Sequence, residues 1–145
     1  MKHFTSVKDI PDFKKAVEYA LDVKKNKFSY QQLGKNKTMV LIFFNSSLRT
    51  RLSTQKAAMN LGMNTMVMNV NEDSWQLESE LGVIMDGDKP EHLLEAIPVI
   101  GQYCDIIGVR AFARFENRDT DYSEKILNQF VKYAGVPVVS MEGAT

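Results

Sequence analysis

Met39-Val40-Leu41-Ile42-Phe43-Phe44, followed at once by Asn45-Ser46-Ser47-Leu48-Arg49-Thr50-Arg51, is the stretch that decides the fold. Six consecutive apolar residues have neither the 3.6-residue rhythm of a surface helix nor the alternation of a half-exposed strand. They read as a strand buried on both faces, as the strands of parallel sheets are. Asn45-Ser46-Ser47 breaks the run, and Arg49 to Leu61 then reads as a helix stopped by Gly62. Strand, short polar turn and helix make up the repeating unit of α/β proteins.

The same alternation extends in both directions. Towards the N-terminus, Phe13, Ala16, Val17, Ala20 and Leu21 recur at helical spacing after Pro11, and a polar stretch runs from Lys24 to Lys37. Towards the C-terminus, Thr65 to Val70 reads as a second strand. Asn71 to Gly87 is mostly polar and reads as a loop with a short helix. Pro90 suits the first turn of a helix that continues through Leu93, Leu94, Ile97 and Ile100. Pro98 falls inside that pattern and is expected to bend or split it. Asp105 to Val109 is a third strand. Tyr122, Ile126, Leu127, Phe130, Val131 and Ala134 trace one apolar helix face ending at Gly135, and Pro137 to Ser140 is a fourth strand. The expected fold class is α/β, a parallel sheet of about four strands with helices on both faces, joined by right-handed crossovers. In such sheets ligands lie at the carboxyl ends of the strands, which directs attention to Asn45 to Arg51, Asn71 to Trp75, Arg110 onward, and Met141-Glu142.

Composition narrows the function classes. The 145 residues suit one domain with one core, and a 44% hydrophobic share supplies it. Eighteen basic side chains balance 18 acidic ones, so no basic excess speaks for nucleic acid or a membrane surface. No apolar run approaches the roughly 20 residues of a membrane span. No apolar run follows Met1-Lys2-His3-Phe4-Thr5, so this end does not read as a signal peptide. Cys104 is the one cysteine. It excludes an internal disulfide and suits a reducing, cytoplasmic setting. His3 and His92 lie far apart, so no structural zinc site is expected. No Gly-x-Gly-x-x-Gly follows any strand and no Gly-Lys-Ser/Thr loop is present, which argues against a nucleotide cofactor.

The turn after the first strand carries the chemistry. A helix N-terminus offers free backbone N–H groups and a partial positive charge, which suit a phosphate. Ser47 can cap the helix or donate its hydroxyl, Thr50 adds a second hydroxyl, and Arg49 can bind a phosphate through two charge-assisted bonds. The same residues also read as an ordinary capped helix with two exposed arginines, and pattern alone does not separate the two. Several other groups read as structural. Cys104 lies on an apolar face and suits packing, His92 falls in a helix first turn, Asp86-Gly87-Asp88 is a turn too short to hold calcium, and the eight methionines fill core gaps.

Ser47-Leu48-Arg49-Thr50-Arg51 resembles the Ser/Thr-x-Arg-Thr-Arg signature of the aspartate and ornithine transcarbamylases. Asp73-Ser74-Trp75, Val83 to Asp88 and Ile106 to Phe112 look like the branch acting on N-acylated ornithine, closest to its N-succinylornithine enzymes. The resemblance implies a carbamoyl-phosphate site built from Ser47, Leu48 (through its backbone), Arg49 and Thr50, with Arg51 structural. It implies that Trp75 reaches the active site of a neighbouring subunit in a homotrimer and binds carbamoyl phosphate there. It assigns Arg110 to the phosphate and carbonyl oxygen of carbamoyl phosphate, where a fixed cation stabilises developing negative charge. Arg49 and Arg110 would thus be the catalytic pair, whereas Arg114 and Arg118 read as surface residues. Glu142 becomes a contact for the acylated amino acid. The N-acetylornithine enzymes carry a glutamate where Pro90 stands. A succinyl carboxylate would be repelled there, so Pro90 favours succinyl over acetyl.

The implied reaction is attack by the δ-amine of N-succinylornithine on carbamoyl phosphate, giving N-succinylcitrulline and phosphate, in arginine biosynthesis. No metal or organic cofactor is implied. A complete transcarbamylase is about twice this long. Residues 1–145 therefore read as its carbamoyl-phosphate-binding domain, without the C-terminal amino-acid-binding domain, and inactive alone. The rival readings are an N-acetylornithine or ornithine enzyme and, from another class, a non-catalytic phosphate-binding module.

Overall fold

A computed structural model describes residues 2–70, 76–79, 82–85, 87, 89–113, 115 and 117–143, the side chain of Thr120 excepted. In chain order the elements are α1 (Phe13–Lys25), β1 (Thr38–Phe43), α2 (Leu48–Asn60), β2 (Asn64–Asn69), β3 (Leu77–Glu78), β4 (Glu91–His92), α3 (Leu93–Gln102), β5 (Ile106–Arg110), α4 (Arg118–Tyr122), α5 (Lys125–Tyr133) and β6 (Val138–Glu142). Single 3-10 turns stand at Val7–Asp9 and Gln31–Leu33. The main sheet has the order β2-β1-β5-β6 and is parallel throughout, as expected from the alternating pattern. Phe4 adds a parallel bridge to Val139 at the outer edge of β6.

The apolar run is β1, flanked by strands on both sides and buried on both faces. Val40 and Ile42 face one core with α3 and α5, formed with Leu93, Ile97, Ile107, Val109, Leu127 and Phe130. Met39, Leu41 and Phe43 face the other, closed by Ala58 of α2. This alternation explains why the run has no polar member. Burying each such side chain contributes about 1.5–3 kcal/mol, and β1 has no solvent face on which a polar residue would be cheaper.

The helices end as elementary chemistry dictates. Asp12 caps α1, accepting from the Lys15 N–H at 3.1 Å. Gly62 follows α2 at φ +82°, a backbone that glycine adopts without strain. Helix α1 buries none of its residues, and Phe13, Val17 and Leu21 remain exposed along it. A hydrogen bond from the Tyr30 hydroxyl to Asp22 holds the end of α1 to the following turn, with Tyr19 edge-on to Tyr30 at 5.5 Å.

Four expectations are corrected. The helix after Pro90 begins at Leu93, because His92 is its N-cap, with Nδ1 accepting from the Leu94 N–H at 3.1 Å. Pro90 lies ahead of that cap, since Glu91 and His92 are drawn into parallel pairing with Leu77 and Glu78. That pairing also puts a short strand, β3, within the segment expected to hold a short helix. The helix expected from Tyr122 to Ala134 is two helices, separated where Glu124 takes a left-handed backbone, φ 47°. Pro98 does not split α3, which runs through it. Among the described residues no helix is long and apolar enough to cross a membrane.

Candidate functional site

The two central strands, β1 and β5, deliver their carboxyl ends side by side, with Phe43 opposite Arg110. The Phe44 N–H donates to the Arg110 carbonyl at 2.9 Å and continues the ladder one residue further. The chain then turns through exposed Asn45 and Ser46 into α2. Ser47 is the N-cap in extended backbone. Its Oγ accepts from the Thr50 N–H at 3.4 Å and donates to Thr50 Oγ1 at 3.0 Å. The first main-chain helical bond is Arg51 N–H to Ser47 carbonyl, 3.1 Å. Upstream of it the N–H groups of Leu48 and Arg49 belong to the part of a helix that has no intrahelical acceptor. Leu48 is 74% exposed, and Arg49 and Arg51 are exposed as well. The apolar side chain of Leu48 is thus left largely uncovered by the described residues, whereas its backbone stands at the positive end of the helix dipole.

Arg110, the last residue of β5, is 9% exposed and one of two buried polar residues among those described. Its guanidinium is held on three sides. Nε donates to Glu142 Oε2 at 2.8 Å, Nη2 is ion-paired with the same oxygen at 2.8 Å, and Nη1 donates to the carbonyls of Asn45 at 2.8 Å and Ser46 at 3.4 Å. The Phe112 ring lies 5.5 Å from Cζ, an attractive cation–π arrangement. Glu142 is the last residue of β6. Val109 pairs with Ser140 but Arg110 with Glu142, because the register slips by one residue between them. Without that irregularity Met141 would stand opposite Arg110. A bulge of this kind re-aims side chains at a strand end.

Of the expected site residues, the structure brings Ser47, Leu48, Arg49, Thr50, Arg110 and Glu142 to one end of the sheet. Arg110 and Glu142 end their strands, whereas the sequence pattern put both just beyond them. Trp75, and with it Asp86, Asp88 and Arg114, lies outside the described residues. Pro90 is exposed ahead of β4, and none of the described contacts joins it to the Arg110 group. Arg118 lies over the Tyr122 ring at 5.3 Å and lines a cavity with Phe112 and Gly143. The sequence reading placed Asn45 in the turn after the first strand but gave it no role of its own. Its Oδ1 accepts from the Phe112 N–H at 2.8 Å, across 67 residues of chain. Its place at the exit of a buried strand was the only available signal. Cys104 packs against the α3–α5 core and donates to the Ile100 carbonyl at 3.3 Å. Burial, aided by the neighbouring Asp105 carboxylate, pushes its thiol pKa up, which makes it a poor nucleophile.

A phosphate is the ligand this end of the sheet suits. It offers unengaged helix N–H groups, two hydroxyls, an exposed arginine and a fixed buried one. The chain belongs to the aspartate/ornithine carbamoyltransferase, carbamoyl-P binding domain family, whose model matches residues 2–145. It is 68% identical over 145 residues to the N-succinylornithine carbamoyltransferase of Bacteroides thetaiotaomicron, covering 100% of this chain and 46% of that one. It is 40% identical over 148 residues to the N-acetylornithine carbamoyltransferase of Xanthomonas campestris pv. campestris, of which it covers 43%. The chain therefore spans about half the length of these relatives. Among solved structures it is similar to a variant N-acetyl-L-ornithine transcarbamylase in which one glutamate is replaced by proline, complexed with carbamyl phosphate and N-succinyl-L-norvaline. The TM-score is 0.87 at 39% identity, covering 98% of this chain and 43% of the other.

Proposed function

We propose that this chain is the carbamoyl-phosphate-binding half of an N-succinylornithine carbamoyltransferase. The observation that carries the reading is the meeting of two cationic elements at the ends of adjacent central strands, the Ser47-capped helix terminus and the buried Arg110. In this reading Ser47, Thr50, Arg49 and the Leu48 N–H hold the phosphate. A guanidinium has five N–H donors. Glu142 takes the Nε hydrogen and the two carbonyls take Nη1, so Nη2, ion-paired with Glu142, has donor capacity left to meet the carbonyl oxygen of carbamoyl phosphate. Attack by the δ-amine places negative charge on that oxygen. An arginine already locked in place stabilises it without reorganising at the moment of reaction. The tetrahedral intermediate then breaks its C–O bond to expel phosphate, which carries off the proton shed by the attacking nitrogen, with the helix terminus taking up its charge. Catalysis is positioning plus electrostatics, and no step needs a metal or organic cofactor.

The amine half of the site, including further contacts to the acylated ornithine, would come from a second domain. In this reading the chain alone binds but does not turn over. Glu142 serves the amino-acid substrate besides holding Arg110, and Trp75 completes a neighbouring subunit's site in a homotrimer. The product enters arginine biosynthesis in the cytoplasm. The succinyl preference rests on Pro90. It is supported by the 68% identity to an N-succinylornithine enzyme. The proline-for-glutamate variant of an N-acetylornithine enzyme, seen with a succinylated ligand, points the same way.

The test is a calorimetric titration of this chain and of Arg49→Ala with N-phosphonoacetyl-succinylornithine and with phosphate. Turnover by the full-length enzyme on succinylated, acetylated and free ornithine accompanies it. Binding of the analogue at least about tenfold tighter than phosphate, lost in Arg49→Ala, is the expected result. A full-length enzyme that prefers another amine would sink the succinyl assignment. An intact fold that binds neither ligand would sink the site.

A further inference from the structure

We infer that Asn45 is a positioning residue for the carbamoyl-phosphate site, its side-chain oxygen pinning the turn ahead of α2 to the strand end that carries Arg110. The inference rests on the reading of that site given above.

An asparagine in a turn ordinarily bonds its own neighbours, bridging backbone two residues on. Asn45 does not use its oxygen that way. Oδ1 accepts from the Phe112 N–H at 2.8 Å, two residues beyond Arg110, while its backbone carbonyl accepts from Arg110 Nη1 at 2.8 Å. The residue before it is tied to the same strand, Phe44 N–H to Arg110 carbonyl. The exit of β1 is thus fastened to the exit of β5 at three successive points, and the outermost is a side chain. With side chain and carbonyl both held, the peptide between Asn45 and Ser46 has one orientation. That peptide aims the carbonyl that receives Arg110 and sets the chain's path into Ser47. Asn45 therefore fixes the separation between the helix terminus and the guanidinium, the two groups that must close on one phosphate.

The residue type fits the task. A serine oxygen stands one bond nearer the backbone than the Oδ1 that meets Phe112. An aspartate would supply the oxygen but add a negative charge beside the phosphate, which would oppose ligand binding. Asn45 is itself exposed, so its oxygen is not part of the core, and its loss falls on the site rather than on folding.

The experiment uses the whole 145-residue chain, uniformly labelled, as wild type, Asn45→Ala and Asn45→Asp, with inorganic phosphate as the probe. In Asn45→Ala the Phe112 amide is expected to exchange at least about tenfold faster. The Arg110 Nε–H resonance should move or broaden, and phosphate affinity should fall about three- to tenfold, the scale of one hydrogen bond. The melting temperature should stay within about 3 °C. Asn45→Asp should keep Phe112 protected yet weaken phosphate binding through charge. An unchanged Arg110 Nε–H signal in Asn45→Ala, or a phosphate affinity within twofold of wild type, would overturn the inference. Failure of the site reading looks different, because Arg49→Ala would then also leave phosphate binding unchanged. The ligand-free Arg110 signal would still decide the role of Asn45.

Discussion

Removing the Glu142 carboxylate should destabilise the fold through the arginine it leaves behind. In Glu142→Ala the guanidinium of Arg110 loses its 2.8 Å charge-assisted bond and its ion pair while its side chain stays 11% exposed. Hydrogen bonds to charged groups are worth about 1.5–3 kcal/mol when buried. The Glu142 side chain is 39% exposed, so water reaches the vacated place and returns part of that. The expected loss is about 1–2 kcal/mol, which for a chain of this length is roughly 3–8 °C in melting temperature. Glu142→Gln keeps an acceptor and should cost about half as much. Urea unfolding followed by far-ultraviolet circular dichroism measures both. The diagnostic variant is Arg110→Met/Glu142→Ala. If the cost is an orphaned cation, removing the cation as well should make the double variant no less stable than Glu142→Ala. Costs that add to within about 0.3 kcal/mol, or a single variant indistinguishable from wild type, would refute the reasoning.

Two further outcomes follow from the framework. A Cβ on Gly101 would lie 2.1 Å from the Ala134 carbonyl oxygen, so Gly101→Ala must push α3 from the end of α5. It should destabilise by about 1–3 kcal/mol despite the ~1 kcal/mol gain in helix propensity, and a higher melting temperature would contradict the packing. The Tyr30–Asp22 bond raises the Tyr30 pKa above its ordinary value and lowers that of Asp22. The Tyr30 contribution is therefore present below pH ~10 and lost as pH rises through the raised pKa, and that of Asp22 is lost as pH falls below the usual carboxylate range. Tyr30→Phe should flatten stability at both extremes, and absorbance titration near 295 nm should show one tyrosine ionising late in the wild type. A Tyr30→Phe variant with the wild-type pH profile would rule the bond out.

Much of this fold was legible because its central strand is apolar on both sides. Met39 to Phe43 has no polar member, since α2 packs on one face and α3 with α5 on the other. The turn into Ser47-capped α2 was legible for the same reason. The failures share a different cause. Helical spacing runs on through Ser123 and Glu124, so periodicity could not show the left-handed break. Pro90 looked like a first-turn proline because pairing of Glu91 and His92 with a strand 14 residues upstream leaves no local trace. The Arg110–Glu142 pair depends on a register slip between strands far apart in sequence, and the Asn45–Phe112 bond joins residues 67 apart. Local pattern reports what a residue's neighbours require. These contacts are imposed by tertiary structure.

The turn before α2 and Arg110 leave from the ends of the two innermost strands, the part of the molecule with the least freedom to open. Local opening of edges and termini should leave them in place, so losing the proposed anion-binding arrangement requires melting the sheet itself. A bound anion is then linked to the highest-energy opening in the molecule. It should slow hydrogen exchange most at the β1 and β5 amides, those that otherwise exchange only by global unfolding, and each tenfold excess over its dissociation constant should add about 1.4 kcal/mol to their protection.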